Sequence, residues 1–142
     1  MLAPPRDAAR IESSRGSIVY WEIGPRIYLT EVHGYLTTEM SRLIIERAGP
    51  LYQKPGRVHG FHNWFDMTNY DSACRVELTA WVLRHREQSA LHIGVASRMV
   101  AMGVTVANLA LGNLMHVHAD MKSLEAAVAD AALQSRKADP AT

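Results

Sequence analysis

The stretch FHNWFDMTNYDSACRVELTAWVLRH, residues 61–85, joins two different hydrophobic patterns. Its first part is aromatic and apolar, as in a buried strand, and ends at Asp66-Met67-Thr68. From Ser72 onward the apolar residues recur at helical spacing, at Cys74, Leu78, Trp81 and Val82. The pattern predicts a strand, a loop from Asp66 to Asp71, and a helix. Such a loop lies at the carboxyl edge of a parallel sheet, where open α/β folds bind other molecules.

The rest of the chain alternates between strand and helix periods. Two segments rich in β-branched and aromatic residues flank Gly24-Pro25 and predict a hairpin. Helical periods begin behind Thr37, at Ser72, at Ser97 and at Lys122, and strand-like segments lie between them. The order β-β-α-β-α-β-α-β-α predicts an α/β fold: a single mixed, mostly parallel five-stranded sheet, opened by the hairpin and packed by about four helices.

Length and composition favour one globular domain. The 142 residues are 48% hydrophobic and 20% charged, which suits a single core. Pro4, Pro5 and Gly16 mark residues 1–16 as a flexible N-terminal arm. Residues 135–142 have the composition of a flexible C-terminal tail, so the domain is expected to span residues 17–134.

Charge and cysteine content limit the classes of partner and the cellular compartment that we expect. The net charge is +1 and the basic residues are scattered, so we expect neither nucleic acid nor an anionic membrane as partner. No apolar run is long enough for a membrane span or a signal peptide. Cys74 is the only cysteine, which excludes an internal disulfide and fits a reducing compartment. We therefore expect a cytoplasmic protein.

The element order and the junction resemble the STAS domain (sulfate transporter and anti-sigma factor antagonist) and the wider SpoIIAA-like fold. In that family a strand ends in an Asp-Leu-Ser-like triplet, matched here by Asp66-Met67-Thr68, and the next helix opens with Asp-Ser-Ser-Gly or Asp-Ser-Thr-Gly. Here that helix opens Asp71-Ser72-Ala73-Cys74, and the closing segment KSLEAAVADA is also similar. The resemblance covers residues 17–134. It implies a bacterial regulatory domain whose partner is a protein, such as a regulatory kinase or an anti-sigma factor.

One position departs from the family pattern. The hydroxyl residue that a partner kinase phosphorylates in the anti-sigma antagonists corresponds to Ala73, which has no oxygen to accept phosphate. The usual phosphoserine switch is therefore not expected. Ser72 keeps a hydroxyl one position earlier, where a phosphate would favour the helix N-terminus. The simpler interpretation is that Asp71 or Ser72 caps the helix.

Five histidines fall on predicted strands, at His59, His62, His92, His116 and His118. Their presence indicates that one face of the sheet is uncovered or only partly covered, since fully covered parallel strands are almost entirely apolar. His116 and His118 share one face and could contribute to a metal site with a third imidazole. No established metal motif accompanies them, so we expect exposed or interface histidines and no metal or cofactor.

The segment Met99 to Leu111 is apolar nearly all round as a helix. Such a helix is buried on more than one side, either by a neighbouring helix or by another molecule in an apolar groove or a homodimer. Ser97 and Arg98 at its start form a possible anion or ligand site, although Ser97 is also a plain helix cap by sequence.

No catalytic motif is present: the chain has no phosphate loop, no nucleophile elbow and no dinucleotide fingerprint. We therefore expect a non-enzymatic regulatory or interaction domain. It would dock a partner through the following helix and through Asp66, Met67, Thr68, Asn69, Tyr70, Asp71 and Ser72, with Met67 and Tyr70 as apolar anchors. The alternative is a small apolar-ligand or lipid-binding protein using the Met-rich 98–111 helix and the Trp64/Trp81 region. A third, weaker alternative is a metal-dependent enzyme using the strand histidines.

Overall fold

The computed structural model describes residues 2–138. Its strands are β1 (Ala9–Glu12), β2 (Gly16–Gly24), β3 (Ile27–Leu36), β4 (Val58–Tyr70), β5 (Ser89–Val95) and β6 (Met115–His118). Its helices are α1 (Thr38–Ala48), α2 (Ser72–Arg84), α3 (Arg98–Ala110) and α4 (Met121–Ala138). Short 3₁₀ turns at Gly49–Gln53 and Arg86–Gln88 lead into β4 and β5.

All six strands form one sheet in the order in which they occur along the chain. β1, β2 and β3 are antiparallel neighbours, whereas β4, β5 and β6 each run parallel to the strand before them. The predicted α/β class, the opening hairpin, the mostly parallel mixed sheet and the four helices are confirmed.

The sheet has six strands, so the predicted number of five was wrong. The additional strand β1 lies within residues 1–16, which were expected to be a flexible arm, and pairs with β2 from Ala9–Tyr20 to Glu12–Ser17. Ala9 and Ile11 are half-buried against the core while Arg10 and Glu12 are exposed. This period-two alternation stabilises the strand, but it is short and follows two prolines. At the other end, α4 continues to Ala138, beyond the predicted boundary at residue 134, and residues 139–142 of the expected tail lie outside the described residues.

The helices are divided unequally between the two faces of the sheet. α1, α2 and α3 cover one face and supply most of the larger core, with Ile44, Trp81 and Val104 among its buried members. α4 alone covers part of the other face, where Leu124 and Val128 pack on the sheet. The second face is therefore only partly covered, as the strand histidines indicated.

β4 is longer than the pattern predicted. It continues through Tyr70, so the expected loop from Asp66 to Asp71 is mostly strand. β3 runs alongside it with two register irregularities, pairing Asp66 with His33 and Tyr70 with Leu36. β5 ends opposite Trp64, so the last part of β4 is paired on one side only and forms the rim of the sheet. No Gly or Pro interrupts residues 66–70, which is why β3 can hold the chain extended there.

Candidate functional site

The rim segment, residues 66–72, presents mainly polar side chains. Asp66, Thr68, Asn69 and Ser72 are exposed, while Tyr70 and Asp71 are half-buried. Met67 is only 2% exposed and belongs to the larger core. The expectation that Met67 anchors a partner was therefore wrong, because its alternation along β4 turns it towards the helices.

Tyr70 leans against α3. A Cβ added to Gly103 would collide with the hydroxyl and ring of Tyr70, so the glycine makes room for the aromatic side chain. Tyr70 is thus only partly exposed to a partner.

The charged groups of the rim are bound to one another. His33 lies 2.7 Å from Glu31 and 3.1 Å from Asp66. The hydroxyl of Tyr35 donates a 2.6 Å hydrogen bond to Asp71, and this bond raises the pKa of Tyr35. Most of these side chains are at least partly exposed, so each contact contributes little to stability.

Two of the expected cap residues, Asp71 and Ser97, stand at the starts of α2 and α3. Asp71 occupies the N-cap position of α2 but makes no side-chain capping bond, and its Oδ1 accepts from the hydroxyl of Tyr35. Ser97 occupies the N-cap position of α3 and donates instead to the carbonyl of Thr68, at 3.3 Å. Both residues thus occupy the predicted N-cap positions, but neither side chain makes the capping hydrogen bond. The bond from Ser97 to Thr68 brings the Ser97-Arg98 site and the rim segment together.

A cavity of about 80 Å³ lies between α2, α3 and the sheet. Its walls are almost entirely apolar and include Trp64, Trp81, Leu78 and Val104. Arg75 and Thr79 of α2, and Gly103 and Ala107 of α3, also line it. The region that the sequence linked to an apolar ligand thus surrounds a single cavity.

Two buried polar side chains of the sheet also line this cavity. Nδ1 of His62 is hydrogen-bonded to Oγ1 of Thr30 at 2.7 Å, and Nε1 of Trp64 donates to the same oxygen at 3.0 Å. Burial lowers the pKa of His62 to about 4, so its ring is neutral at pH 7. The second polar side chain is Tyr28.

Tyr28 is fully buried, and among residues 2–138 its hydroxyl has no hydrogen-bond partner. It approaches Tyr52, but no bond of satisfactory geometry joins the two, and Tyr52 is bonded to Ser89 at 3.0 Å. Burial raises the pKa of Tyr28 well above its ordinary value, so the hydroxyl stays protonated. An unsatisfied buried hydroxyl costs on the order of 1–3 kcal/mol. Tyr28 and Thr30 were not singled out from the sequence, where they are two residues of an ordinary strand.

The outer faces of α2 and α3 are unusually apolar. Val76 and Leu83 of α2 are 61% and 51% exposed. The exposed apolar side chains of α3 are Met99, Met102, Val106 and Leu109. Of the two alternatives for the Met99 to Leu111 segment, complete burial by a neighbouring helix is therefore excluded.

The strand histidines are divided between the two faces of the sheet. His62 faces the helices α1–α3, whereas His92 lies on the opposite face, stacked on Phe61 with ring centroids 4.9 Å apart. His116 and His118 stack on His92 from the neighbouring strand. Within residues 2–138, no group of three or more His, Cys, Asp or Glu side chains is arranged to hold a metal ion.

Comparison with known proteins supports the fold. No protein-family model matches the chain, and no curated protein is significantly similar to it in sequence. The chain is similar in structure to an uncharacterised protein of the DUF3478 family with a SpoIIAA-like fold from Shewanella loihica PV-4. The TM-score is 0.59 at 11% identity, over 80% of this chain and 95% of that one. The fold is SpoIIAA-like, as the resemblance to the STAS domain implied. Residues 2–138 contain no helix with the length and apolarity that crossing a bilayer requires.

Proposed function

We propose that this chain is a non-enzymatic binding domain that takes a small, uncharged, mainly apolar ligand between α2, α3 and the sheet. The observation that carries the proposal is an apolar cavity lined by Tyr28, whose buried hydroxyl has no hydrogen-bond partner within residues 2–138. A ligand with one hydrogen-bond acceptor would satisfy that hydroxyl. The buried free thiol of Cys74 fits action in the cytoplasm.

The chemistry of the lining favours a neutral ligand. Tyr28 stays protonated and His62 stays neutral at pH 7, so neither would compensate a charge on a buried ligand. Arg75 is half-exposed at the lining and is the only formally charged residue there in the part of the chain that the structure describes. Burying an uncompensated charge costs far more than burying an apolar group.

The volume sets a condition on binding. Drug-sized ligands occupy pockets of roughly 300–1,000 Å³, whereas this cavity measures about 80 Å³. A ligand of more than a few atoms therefore requires α2 and α3 to move apart. No hydrogen bond or ion pair joins α2 to α3 among the described residues, whereas Glu77 ties α2 to Ser41 and Arg42 of α1. Separation at the α2–α3 side would thus break apolar contacts only.

Docking of a protein partner through the rim segment and α2 is the second candidate. Val76 and Leu83 favour it, because exposed apolar side chains on a helix next to a polar rim are typical of interaction surfaces. The burial of Met67 weakens it, since Tyr70 is then the one large apolar side chain of the rim segment. A regulatory role of this kind would operate without phosphorylation at position 73, which is alanine.

Ligand extraction tests the first candidate. Protein purified without detergent is denatured, extracted with organic solvent and analysed by mass spectrometry, alongside the variants Ala107→Phe and Ala110→Phe. Ala107 lines the cavity, whereas Ala110, one turn further along α3, is exposed. We expect a neutral apolar compound to accompany the wild type and Ala110→Phe but not Ala107→Phe. Equal recovery from all three proteins would contradict ligand binding in this cavity.

A further inference from the structure

On the face of the sheet opposite the cavity, imidazoles connect three elements. Nδ1 of His92 on β5 lies 2.9 Å from Nε2 of His118 on β6. Nδ1 of His118 lies 2.6 Å from Oγ of Ser123 in the first turn of α4. Ser123 is held in turn by its backbone N–H, which donates to Asp120 at 2.8 Å. A chain of hydrogen bonds therefore runs from the inner strand β5 through β6 to the start of α4.

The hydrogen bond between the two rings depends on their protonation. It needs an N–H on one ring and a lone pair on the other, so at least one ring must be neutral. With both rings protonated, every ring nitrogen carries a hydrogen and the two facing nitrogens repel each other. The bond between His92 and His118 therefore exists only while at least one of the two rings is neutral.

The surroundings disfavour the extra proton. Burial, followed by the charges of His118, His116 and His59, lowers the pKa of His92 to about 4. Burial and then His116 lower the pKa of His118, and Asp120 opposes this in part.

Charged groups other than Asp120 provide no net negative charge that would stabilise a second proton on His92 and His118. His59 on β4 lies near Arg57 and Arg26, which lower its pKa after burial. The first turns of α4 contribute Lys122 and Glu125, of opposite sign, beside the Asp120 carboxylate. Positive charge that accumulates at the pair is thus compensated mainly by Asp120.

If the imidazole hydrogen bonds are left aside, few contacts hold β6 on the sheet. It has four residues and pairs with β5 alone. Asn108 holds its first residue, Met115, by two hydrogen bonds of 3.1 and 2.9 Å. At the other end of β6, the side chain of His118 is hydrogen-bonded to His92 and to Ser123.

We propose that the His92–His118–Ser123 chain is an acid-sensitive latch, which holds the end of β6 and the first turn of α4 on the sheet at neutral pH and releases them on acidification. The release is local, because the Met115 end stays attached through Asn108. This inference is independent of the ligand cavity, which lies on the other face.

Amide NMR of the full chain between pH 7.5 and pH 3.5 tests the latch. We expect the amide signals of residues 116–123 to shift or broaden as the pH falls towards about 4, where His92 gains its proton, while those of the buried residues 18–21 of β2 stay in place. In His118→Asn, which lacks the bond between the two rings, these signals should change clearly less over that range. His33→Asn is the matched control, because His33 is exposed and paired at the rim, and it should behave as the wild type.

Three results would overturn the latch. The signals of residues 116–123 could stay constant to pH 3.5, they could move together with those of residues 18–21, or they could respond equally in His118→Asn. If His118→Asn does not fold, ¹⁵N signals of the imidazoles in the wild type decide. Protonation of both His92 and His118 without any change at residues 116–123 would also exclude the proposal.

Discussion

Tyr28 and Gly60 are register partners on β3 and β4, and the ring of Tyr28 occupies the space that a side chain at position 60 would need. A Cβ added to Gly60 would lie 2.5 Å from the hydroxyl oxygen of Tyr28 and 2.8 Å from Leu91. Both neighbours line the cavity. The glycine is therefore what allows Tyr28 to lie across the sheet beneath the helices.

Gly60→Ala should displace Tyr28 and destabilise the protein. Overpacking of this kind costs about 1–3 kcal/mol in the free energy of unfolding, measured by urea denaturation. Gly49→Ala is the matched control, because a Cβ at Gly49 meets nothing within 4 Å and its backbone is helical. An equal loss of stability in the two variants would show that Gly60 is not needed for the position of Tyr28.

Tyr28→Phe removes the unpartnered hydroxyl and keeps the ring. We expect the free energy of unfolding to stay the same or to rise by about 1 kcal/mol, because a buried unsatisfied group is lost. Tyr52→Phe is the comparison, since it breaks the bond to Ser89 and should lower stability by about 1 kcal/mol. If Tyr28→Phe were as destabilising as Tyr52→Phe, its hydroxyl would have a partner in the folded protein.

Stability should fall as the pH is lowered from about 6.5 to about 4. The pKa of His62 is about 4 in the folded protein, below the 6.5 of an ordinary histidine, so the unfolded chain binds a proton that the folded chain excludes. Between pH 7.5 and pH 5 this linkage removes about 2 kcal/mol from the free energy of unfolding, and His92 acts in the same direction. Urea denaturation at the two pH values measures the loss. His62→Gln should lose clearly less, and an equal loss in that variant would remove His62 from the explanation.

Protein docking, the second candidate function, is tested at the rim and on α2. Tyr70→Ala and Val76→Asp should each release a specific protein that the wild type retains from an extract of its host. Ser72→Asp, which places a negative charge at the start of α2, should weaken retention as well. Ser14→Asp, at an exposed position outside the rim, is the control and should retain the partner. Identical proteins bound to all four variants would exclude docking through the rim and α2.

The parts of the fold that depend on local pattern were predictable from the sequence. Gly24-Pro25 between two β-rich segments predicted the hairpin, and the spacing of Cys74, Leu78 and Trp81 predicted α2. The end of β4 was not predictable, because residues 66–70 stay extended only through their pairing with β3. The local pattern therefore predicted a loop at residues that pairing with β3 holds as strand at the rim of the sheet.

The candidate sites depend on contacts that no local pattern contains. The cavity lining joins Tyr28 and His62 from adjacent strands to Gly103 of α3, and this requires the register of β3 on β4. The bond between His92 and His118 likewise requires β6 to lie beside β5 in that register. The sequence singled out the histidines and the Trp64/Trp81 region but could not pair them.

Binding of a small neutral probe to the cavity is measured most directly by methyl NMR of the Val104 and Leu91 side chains during titration with 1-hexanol. We expect saturable shifts at these methyls with an affinity of order millimolar, as suits a ligand of about seven heavy atoms. Hexanoate, of the same length but charged, should not produce them, and neither should 1-hexanol added to Ala107→Phe. If 1-hexanol produced no saturable shift at these methyls, or the same shift in Ala107→Phe, the cavity would not be a ligand site.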